Sequence, residues 1–334
     1  MKAVGYVTPT PNAAPGALFD FETQPPRPGP RDLLIEVRAV SVNPVDTKVR
    51  ASRAGAEGAP VVLGWDGAGV VAETGAEVTL FKPGDEVWFA GAIDRPGSNA
   101  QFTLADERIV ALKPRSLSFA DAAAMPLTAL TAWEALFDSF RLRGDETGTL
   151  LIVGGAGGVG SMAIQLARRL TALTVVATAS RPETEAWVRE LGAHAVIDHR
   201  RPLSEALREA GFDGADYVFV TTQSGLHWPE ATRAARPRGR LALIEGPSDF
   251  NLRLMTEKSL TVSWEYMFTR PVLRTPDMIR QHEILTEVAR MTDEGALRTT
   301  ARQNLGRIDA EGLTRAHALS ESGGAIGKIV LEGW

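Results

Sequence analysis

Cysteine is absent from all 334 residues of the chain. Disulfide bonds and metal sites held by thiolates are therefore excluded. Histidine is scarce, and all five histidines lie after residue 193: His194, His199, His227, His282 and His317. A zinc site built from cysteine and histidine is thus not expected in the amino-terminal half.

Long apolar runs and an excess of positive charge are also missing. No run approaches the length that spans a bilayer, and Met1 leads into a strand-like segment rather than a secretory signal. The net charge is −5 and the basic residues are scattered, which argues against a nucleic-acid partner. We therefore expect a cytoplasmic protein without a membrane or nucleic-acid partner, and its length suggests about two domains.

The first part of the chain, to about residue 117, has a β-rich pattern. Apolar or alternating runs at 33–42, 61–73, 86–90 and 100–111 are separated by turns rich in glycine and proline. Many short strands with such turns predict a small barrel. Residues 118–140 then read as helical, with a break at Met125-Pro126.

From residue 150 the pattern changes to alternating strands and helices. Strands are predicted at 150–153, 174–178, 195–198, 216–221, 240–245 and 260–264. The intervening helices include 183–191 and 203–210, and helices at about 276–294 and 309–322 precede a last strand at 328–332. The alternation predicts an α/β fold with a doubly wound parallel sheet, and a barrel before such a sheet implies a cleft between two domains.

A glycine-rich turn joins the strand at 150–153 to a helix with an apolar face. Gly155, Gly157 and Gly160 have the G-x-G-x-x-G spacing, in the strand–turn–helix context that predicts dinucleotide binding. The first glycine permits the turn, Gly157 lets the backbone approach a pyrophosphate, and Gly160 lets the helix pack on the strand. The predicted contact set is Gly154, Gly155, Ala156, Gly157, Gly158, Val159 and Gly160.

The end of the second strand indicates which dinucleotide binds. NAD sites usually carry a carboxylate about 20 residues beyond the glycines. Here the strand ends at Ser180-Arg181, and a hydroxyl with a guanidinium suits a 2′-phosphate, which favours NADPH. Arg181 is alternatively a solvated residue at a helix start, before Pro182. Thr221 and Thr222, at the end of the strand predicted at 216–221, join the predicted cofactor set.

Six motifs together resemble one known superfamily. They are SVNPVDTK at 41–48, LGWDGAG at 63–69, FKPGDEV at 81–87, PLTALTAWE at 126–134, the glycine turn, and GKIVL at 327–331. The chain resembles the medium-chain dehydrogenase/reductase superfamily, in particular its zinc-less quinone oxidoreductases (the zeta-crystallin-like group), and bacterial proteins labelled zinc-type alcohol dehydrogenase-like. The resemblance implies a GroES-like domain at 1–120, completed by about 267–334, and a Rossmann domain at 121–266.

The resemblance also marks where zinc-dependent relatives hold their catalytic metal. Those positions carry Asn43, Trp65 followed by Asp66, and a residue near Leu127. One carboxylate cannot form a site that needs three protein ligands, so we expect no zinc. Without a Lewis acid, an activated acceptor is favoured over a simple alcohol. The prediction is an NADPH-dependent reductase that transfers hydride to quinones or α,β-unsaturated carbonyl compounds.

Candidate catalytic residues follow from the same resemblance, each with a plainer alternative. Asn43 is placed near the nicotinamide, or is a turn residue before Pro44. Lys48, where relatives commonly have tyrosine, is a proton donor or oxyanion partner, or else an exposed helix residue, and Asp46 is expected to pair with it. Thr131 lies near the nicotinamide or in the core.

Four further residues complete the predicted site. Lys328 is expected near the pyrophosphate and His199 near the adenosine phosphate, unless His199 is an uninvolved loop residue. Trp65 and Trp88 line the substrate pocket or pack in the core.

Two other functions stay open. The chain is alternatively an NADP(H)-binding protein without catalysis, with a crystallin-like, regulatory or redox-sensing role. A weaker alternative is an alcohol or aldehyde dehydrogenase with a metal held elsewhere. We expect a homodimer or homotetramer acting on a small molecule, with residues 262–268 as a candidate sheet edge between subunits.

Overall fold

The computed structural model describes residues 1–246 and 250–334. The chain forms two compact units, one of Met1–Leu127 with Phe268–Trp334 and one of Thr128–Met267. The sequence predicted boundaries at 120/121 and about 266/267, whereas the units divide at 127/128 and 267/268.

The elements are given in chain order. The first part contains β1 Lys2–Tyr6, β2 Phe19–Glu22, β3 Asp32–Val42, α1 Pro44–Ser52, β4 Val61–Val62, β5 Gly67–Thr74, β6 Glu86–Phe89, β7 Phe102–Asp106, β8 Val110–Leu112, α2 Phe119–Ala123 and α3 Pro126–Trp133. The middle part contains β9 Thr149–Val153, α4 Gly158–Leu170, β10 Thr174–Thr178, α5 Pro182–Glu190, β11 Ala195–Ile197, α6 Leu203–Glu209, β12 Ala215–Val220, α7 Ser224–Ala234, β13 Ala235–Leu243, α8 Arg253–Thr256 and β14 Thr261–Trp264. The last part contains α9 Thr269–Leu273, α10 Arg280–Asp293, β15 Ala301–Asn304, α11 Ala310–Glu321 and β16 Lys328–Glu332.

The first unit is built on two sheets. A three-stranded antiparallel sheet has the order β2-β1-β4. A seven-stranded sheet has the order β15-β16-β3-β5-β6-β8, with β7 paired to β3. Its core contains Leu33 and Ile35 from β3 together with Val71, Val87 and Val110 from the strands around it. This arrangement lays the end of β3 beside β16, so Val42 lies opposite Ile329.

The second unit is a doubly wound sheet of six parallel strands. The strand order is β11-β10-β9-β12-β13-β14, as predicted for a Rossmann domain. Every residue of β9 is buried, which explains its unbroken apolar run, because helices cover both faces of a parallel sheet. From β9 the chain runs outward through β10 to β11, and it then crosses back to β12 on the other side of β9. The point where the strand order reverses, and where such sheets bind ligands, is therefore the carboxyl end of β9.

Some predicted elements are interrupted in the structure. The run at 61–73 divides into β4 and β5, because Gly64 between them has φ of +111°. The run at 100–111 is broken by one 3-10 turn at Glu107–Ile109, where the Asp106 carboxylate accepts the Arg108 N–H at 3.0 Å. The expected break at Met125-Pro126 separates α2 from α3, and the predicted helix at 276–294 begins at Arg280.

Among the described residues, no helix combines the length and apolar character needed to cross a membrane.

Candidate functional site

The glycine turn after β9 depends on the lack of a side chain at Gly154. Its φ is +87°, in the left-handed region that favours glycine, and a Cβ there would lie 2.6 Å from Thr221 Oγ1. The Gly154 N–H donates to the Thr178 hydroxyl at 3.0 Å, and the Gly157 N–H donates to Gly154 O at 3.2 Å. These bonds fix the turn at the carboxyl end of β9.

The other two glycines of the fingerprint have different surroundings. A Cβ on Gly160 would lie 2.3 Å from Gly154 O, so only glycine permits α4 to approach the turn this closely. A Cβ on Gly157 would meet only Gly154 O among the described residues, at 3.5 Å. Space is therefore left beside Gly157, on the side where a ligand could approach.

The amino terminus of α4 has the properties of an anion site. Gly157 is its N-cap residue and provides no side-chain acceptor, and the first turn, which begins with Gly158 and Val159, contains no acidic residue. The first N–H groups of a helix have no intrahelical partner and carry the positive end of the helix dipole. A cradle of this kind, with Ala156 inside the turn, fits a dinucleotide pyrophosphate.

Neighbouring strand ends bring further predicted residues to the same edge of the sheet. Thr221 follows β12, and its hydroxyl donates to Val153 O at 2.8 Å. Thr222 also borders the turn, because a Cβ on Gly154 would lie 2.9 Å from Thr222 Cγ2. Ser180 and Arg181 follow β10. The Arg181 guanidinium is 41% exposed and its Nε lies 3.1 Å from Glu183 Oε1, a surface ion pair that another anion can replace at small cost.

His199 follows β11 and packs against a second histidine, His227, which was not among the predicted site residues. The rings of His199 and His227 lie 6.0 Å apart between centroids, edge to face. Burial lowers the pKa of both imidazoles, and the neighbouring His199 adds to the effect at His227. No local motif indicates His227, because His199 precedes α6 while His227 lies on α7, and the two rings meet only in the folded unit.

A second polar group lies buried in the first unit, around the end of β3. Asn43, Asp46, Asp66 and Lys328 are each at most 4% exposed. The Lys328 ammonium donates to Val42 O and to Asn43 Oδ1, both at 2.8 Å, and lies 3.1 Å from Asp66 Oδ2. We refer to these four residues as the Lys328 cluster.

Backbone and amide groups complete the Lys328 cluster. The Asn43 amide nitrogen donates to Asp66 Oδ2 at 2.8 Å and to Trp65 O at 3.2 Å, so both of its hydrogens are engaged. Asp66 Oδ1 accepts the Leu127 N–H at 2.7 Å. Asp46 accepts the N–H groups of Asn43 at 2.7 Å and Gly64 at 2.9 Å. The segments 42–46, 64–66 and 127 are thereby tied to β16.

Burial and hydrogen bonding have opposite effects on the charged forms of Asp66 and Lys328. Burial raises the pKa of Asp66 and lowers that of Lys328, and each partner's charge opposes that shift. The hydrogen-bond partners of Asp66 are all donors and those of the ammonium are all acceptors, which favours the ionic form of the pair. Burial also raises the pKa of Asp46 to about 7, against the hydrogen bonds from Asn43 and Gly64 and the charge of Lys328.

The remaining predicted residues lie apart from the Lys328 cluster or in the core. Lys48 is exposed on α1, while the Asp46 carboxylate that was expected to pair with it is buried against backbone N–H groups. Thr131 is buried within α3. Trp65 and Trp88 are at most 1% exposed: Trp65 donates to Ala92 O at 3.1 Å, and the indole nitrogen of Trp88 has no hydrogen-bond partner among the described residues. Both tryptophans therefore pack as core residues.

Comparison with known proteins identifies the family. A model of zinc-binding dehydrogenases matches residues 158–281, and one of the alcohol dehydrogenase GroES-like domain matches residues 29–115. A zinc-type alcohol dehydrogenase-like protein of Staphylococcus aureus is 40% identical over 337 residues, which cover 99% of both chains. A crystal structure from Rhizobium etli CFN 42, described as a zinc-dependent alcohol dehydrogenase, is 51% identical with a TM-score of 0.95, over 100% of this chain and 98% of its own.

The chain is a medium-chain dehydrogenase/reductase. Members of this superfamily are oxidoreductases, and the sheets described above are its GroES-like and Rossmann domains. A further relative, the chloroplastic NADPH-dependent alkenal/one oxidoreductase of Arabidopsis thaliana, is 39% identical over 195 residues. That match covers 56% of this chain and 49% of the plant protein.

One of the two family models names zinc, but the side chains of this medium-chain dehydrogenase/reductase do not fit a zinc site. The positions that the resemblance assigns to metal ligands do come together, because Asn43 and the Leu127 N–H both contact Asp66. These positions present the amide nitrogen of Asn43, the carboxylate of Asp66 and the backbone N–H of Leu127. The Lys328 ammonium lies 3.1 Å from that carboxylate. Within residues 1–246 and 250–334, no group of three or more His, Asp or Glu side chains is arranged to hold a metal ion.

Lys328 differs most from its predicted role. The resemblance places it near the pyrophosphate, whereas its three N–H bonds are used by Val42, Asn43 and Asp66 within the first unit. Asp66 was considered only as a poor zinc ligand, and its pairing with Lys328 was not predicted. The available signal was a charged residue inside each of two apolar motifs, LGWDGAG and GKIVL.

Proposed function

We propose that this medium-chain dehydrogenase/reductase is an NADPH-dependent reductase of quinones or α,β-unsaturated carbonyl compounds, acting without zinc. The observation that carries the proposal is the donor set at the positions that the resemblance assigns to metal ligands, where the Asn43 amide and the Leu127 N–H contact Asp66 beside the Lys328 ammonium, in a chain that retains the glycine turn. The donor set at that position cannot activate an alcohol as a metal alkoxide.

The chemistry of the acceptor follows from the missing metal ligands. NADPH, when bound, supplies the hydride. A conjugated acceptor takes hydride at carbon, so its oxygen needs only hydrogen-bond donors and a proton. The similarity to the alkenal/one oxidoreductase supports this class of substrate.

The residues through which the chain would bind the cofactor lie in the second unit. The turn at Gly157 and the amino terminus of α4 would hold the pyrophosphate through N–H groups. Arg181 would exchange its surface pair with Glu183 for the 2′-phosphate, with Ser180 beside it. His199 would lie on the adenosine side of the same sheet edge.

The direct test is turnover by the purified protein. We expect NADPH absorbance to fall when a quinone or an enone is added, and to stay constant with the matching saturated ketone. NADPH binding without turnover of any acceptor would favour the noncatalytic function. That function stays open because the Asn43 amide already donates both of its hydrogens within the protein. Faster oxidation of simple alcohols, with zinc bound to the protein, would overturn the proposal.

The preference for NADPH is tested at Arg181. A hydrogen bond to a charged group contributes about 1.5–3 kcal/mol, so Arg181→Ala should raise KM for NADPH roughly 10- to 100-fold. KM for NADH should not change, because NADH lacks the 2′-phosphate. Arg189→Ala is the matched control, since Arg189 is also exposed on α5 and pairs with Glu185. Equal increases of KM for both coenzymes would show that Arg181 does not contact the phosphate.

We further propose that the protein is a homodimer that extends its parallel sheet across subunits. β14 is the last strand in the sheet order. Trp264, at its end, is 52% exposed, and Tyr266 just beyond it is 50% exposed. A strand edge flanked by exposed aromatic rings suits pairing with a second copy of the chain.

A further inference from the structure

A cleft with a volume of about 330 Å³ lies at the edge of the second unit's sheet that is opposite to the glycine turn. It borders Gly214, just before β12, and Ala235, the first residue of β13. The glycine turn follows the carboxyl end of β9, which is parallel to β12. The six residues of β12 span roughly 20 Å at about 3.3 Å per residue. A ligand in this cleft would therefore bind apart from a dinucleotide at the turn.

Cationic side chains predominate in the lining of the cleft. Four basic residues and one acidic residue contribute to it: Arg208, Arg233, Arg236, Lys258 and Asp213. Arg208 is exposed near the end of α6, and its guanidinium forms no hydrogen bond or ion pair within the part of the chain that the structure describes. The carboxylate of Glu209, next to it in sequence, pairs with Arg201 instead. Arg208 therefore has all of its donors available for a ligand.

The other two arginines of the cleft are held by surface ion pairs. Arg233 pairs with Glu230 on α7, and its side chain is 60% exposed. Arg236 Nη1 lies 3.4 Å from each carboxylate oxygen of Asp216, and its Nε donates to Asp213 O at 2.9 Å. Exposed pairs of this kind contribute little stability. A phosphate, which arginine binds through two parallel hydrogen bonds, could replace either carboxylate at small cost.

Lys258 makes the end of α7 compatible with an anion. The last carbonyl groups of a helix carry partial negative charge, which would repel one. The Lys258 ammonium donates to three carbonyl oxygens there, at 3.3, 2.6 and 2.7 Å: those of Thr232, Arg233 and Ala235. At the end of α6, the Arg208 carbonyl accepts the Gly211 N–H at 3.0 Å. Both helix ends beside the cleft are thus capped by donors.

An aromatic residue gives the cleft an apolar wall. Phe212 lines it and packs against the core of the second unit. The volume lies at the lower end of the range for small-molecule sites, about 300–1,000 Å³. We propose that this cleft binds a small molecule that carries a phosphate on a ring, with the phosphate between Arg208 and Arg236 and the ring against Phe212. The inference goes beyond the proposed reductase function, because the cleft and the glycine turn lie at opposite edges of the sheet.

The chemical class of the ligand is tested with phenyl phosphate and its two parts. Each compound is titrated into the full-length protein by isothermal titration calorimetry. We expect phenyl phosphate to bind roughly two- to tenfold more tightly than inorganic phosphate, because only its ring contacts Phe212. Phenol should not bind, since it lacks the charge. Equal affinities for phenyl phosphate and inorganic phosphate, or no binding of either, would overturn the proposal.

Substitutions at Arg208 test the position of the site. Arg208→Glu should weaken the binding of phenyl phosphate at least about tenfold, and Arg208→Lys, which keeps the charge, should weaken it less. Arg169→Glu is the matched control, because Arg169 is also exposed in the last turn of a helix, α4, and does not line the cleft. Equal effects of Arg208→Glu and Arg169→Glu would show only a loss of general positive charge and would contradict the proposal.

A further arm separates the cleft from the glycine turn, which also suits phosphates. One phenyl phosphate per chain should still bind to Gly157→Ala, whereas loss of all binding in that variant would place the ligand at the turn and overturn the proposal. Urea unfolding of Arg208→Glu should match that of the unchanged protein, because the Arg208 side chain is exposed and has no described partner. None of these measurements requires turnover, so a failure here is distinct from a failure to reduce quinones or enones.

Discussion

Gly157 and Gly160 lie in the same turn but have different neighbours. A Cβ on Gly160 would overlap Gly154 O at 2.3 Å, whereas one on Gly157 would lie 3.5 Å from its nearest described neighbour. Replacement by alanine should therefore lower stability at Gly160 and weaken ligand binding at Gly157.

We predict that Gly160→Ala lowers the free energy of unfolding by about 1–3 kcal/mol, because α4 must move away from the turn. Gly157→Ala should unfold like the unchanged protein but bind NADPH at least about tenfold more weakly, since its methyl group points into the ligand space. Urea unfolding and fluorescence titration with NADPH measure the two effects. Loss of stability in Gly157→Ala with unchanged NADPH affinity would contradict this division.

The two polar sites differ in how far the sequence could predict them. The glycine turn is local, so its spacing between a strand and a helix was sufficient. Lys328 contacts Asn43 across 285 residues of sequence, and the charged residues inside the motifs LGWDGAG and GKIVL do not indicate that these segments meet. The resemblance identified the positions of Asn43 and Asp66 but not the cation between them.

At the scale of elements, α1 and α11 are joined by a buried polar contact. The fully buried Arg50 donates to His317 Nδ1 at 2.8 Å and pairs with Glu321. His317 Nε2 is buried without a hydrogen-bond partner among the described residues. Burial lowers the pKa of His317 to about 3, and the Arg50 charge adds to this shift.

This contact predicts loss of stability in acid. The unfolded state takes up a proton at His317 below pH 6.5, while the folded state resists it down to about pH 3. The stability is therefore complete above pH 6.5 and falls as the pH decreases, by about 1.4 kcal/mol at pH 5.5. His317→Asn keeps an acceptor for Arg50 without titrating, so its unfolding free energy should fall less between pH 7 and pH 5.5 in urea. An identical decrease in both proteins would contradict this role of His317.

Element boundaries were predicted correctly where a proline or an uninterrupted apolar run determines them. Pro126 ended a helix as expected, and β10 and β16 have the bounds given by their apolar runs. The strand at 61–73 was predicted as continuous because its apolar pattern hides the backbone conformation of Gly64. A π-helix at Glu134–Ser139 also follows α3, and no sequence pattern indicated it.

At the scale of the whole molecule, the exposed end of β14 predicts how subunits associate. Trp264→Lys should convert the dimer into a monomer, because it places a charge at the proposed interface. Leu226→Lys is the control, since Leu226 is 70% exposed on α7 and lies outside the β14 edge. Multi-angle light scattering measures the mass of each. A monomeric unchanged protein, or a dimer that survives Trp264→Lys, would argue against this interface.

The contribution of β16 to the first unit has a consequence for biosynthesis. Asp66 is made early by the ribosome, and its ammonium partner is made only when residue 328 is added. During most of translation this carboxylate has no counter-charge, and it must stay hydrated while the second unit is synthesised. The first unit therefore cannot complete its folding until residues 268–334 have been made, after synthesis of the second unit has ended.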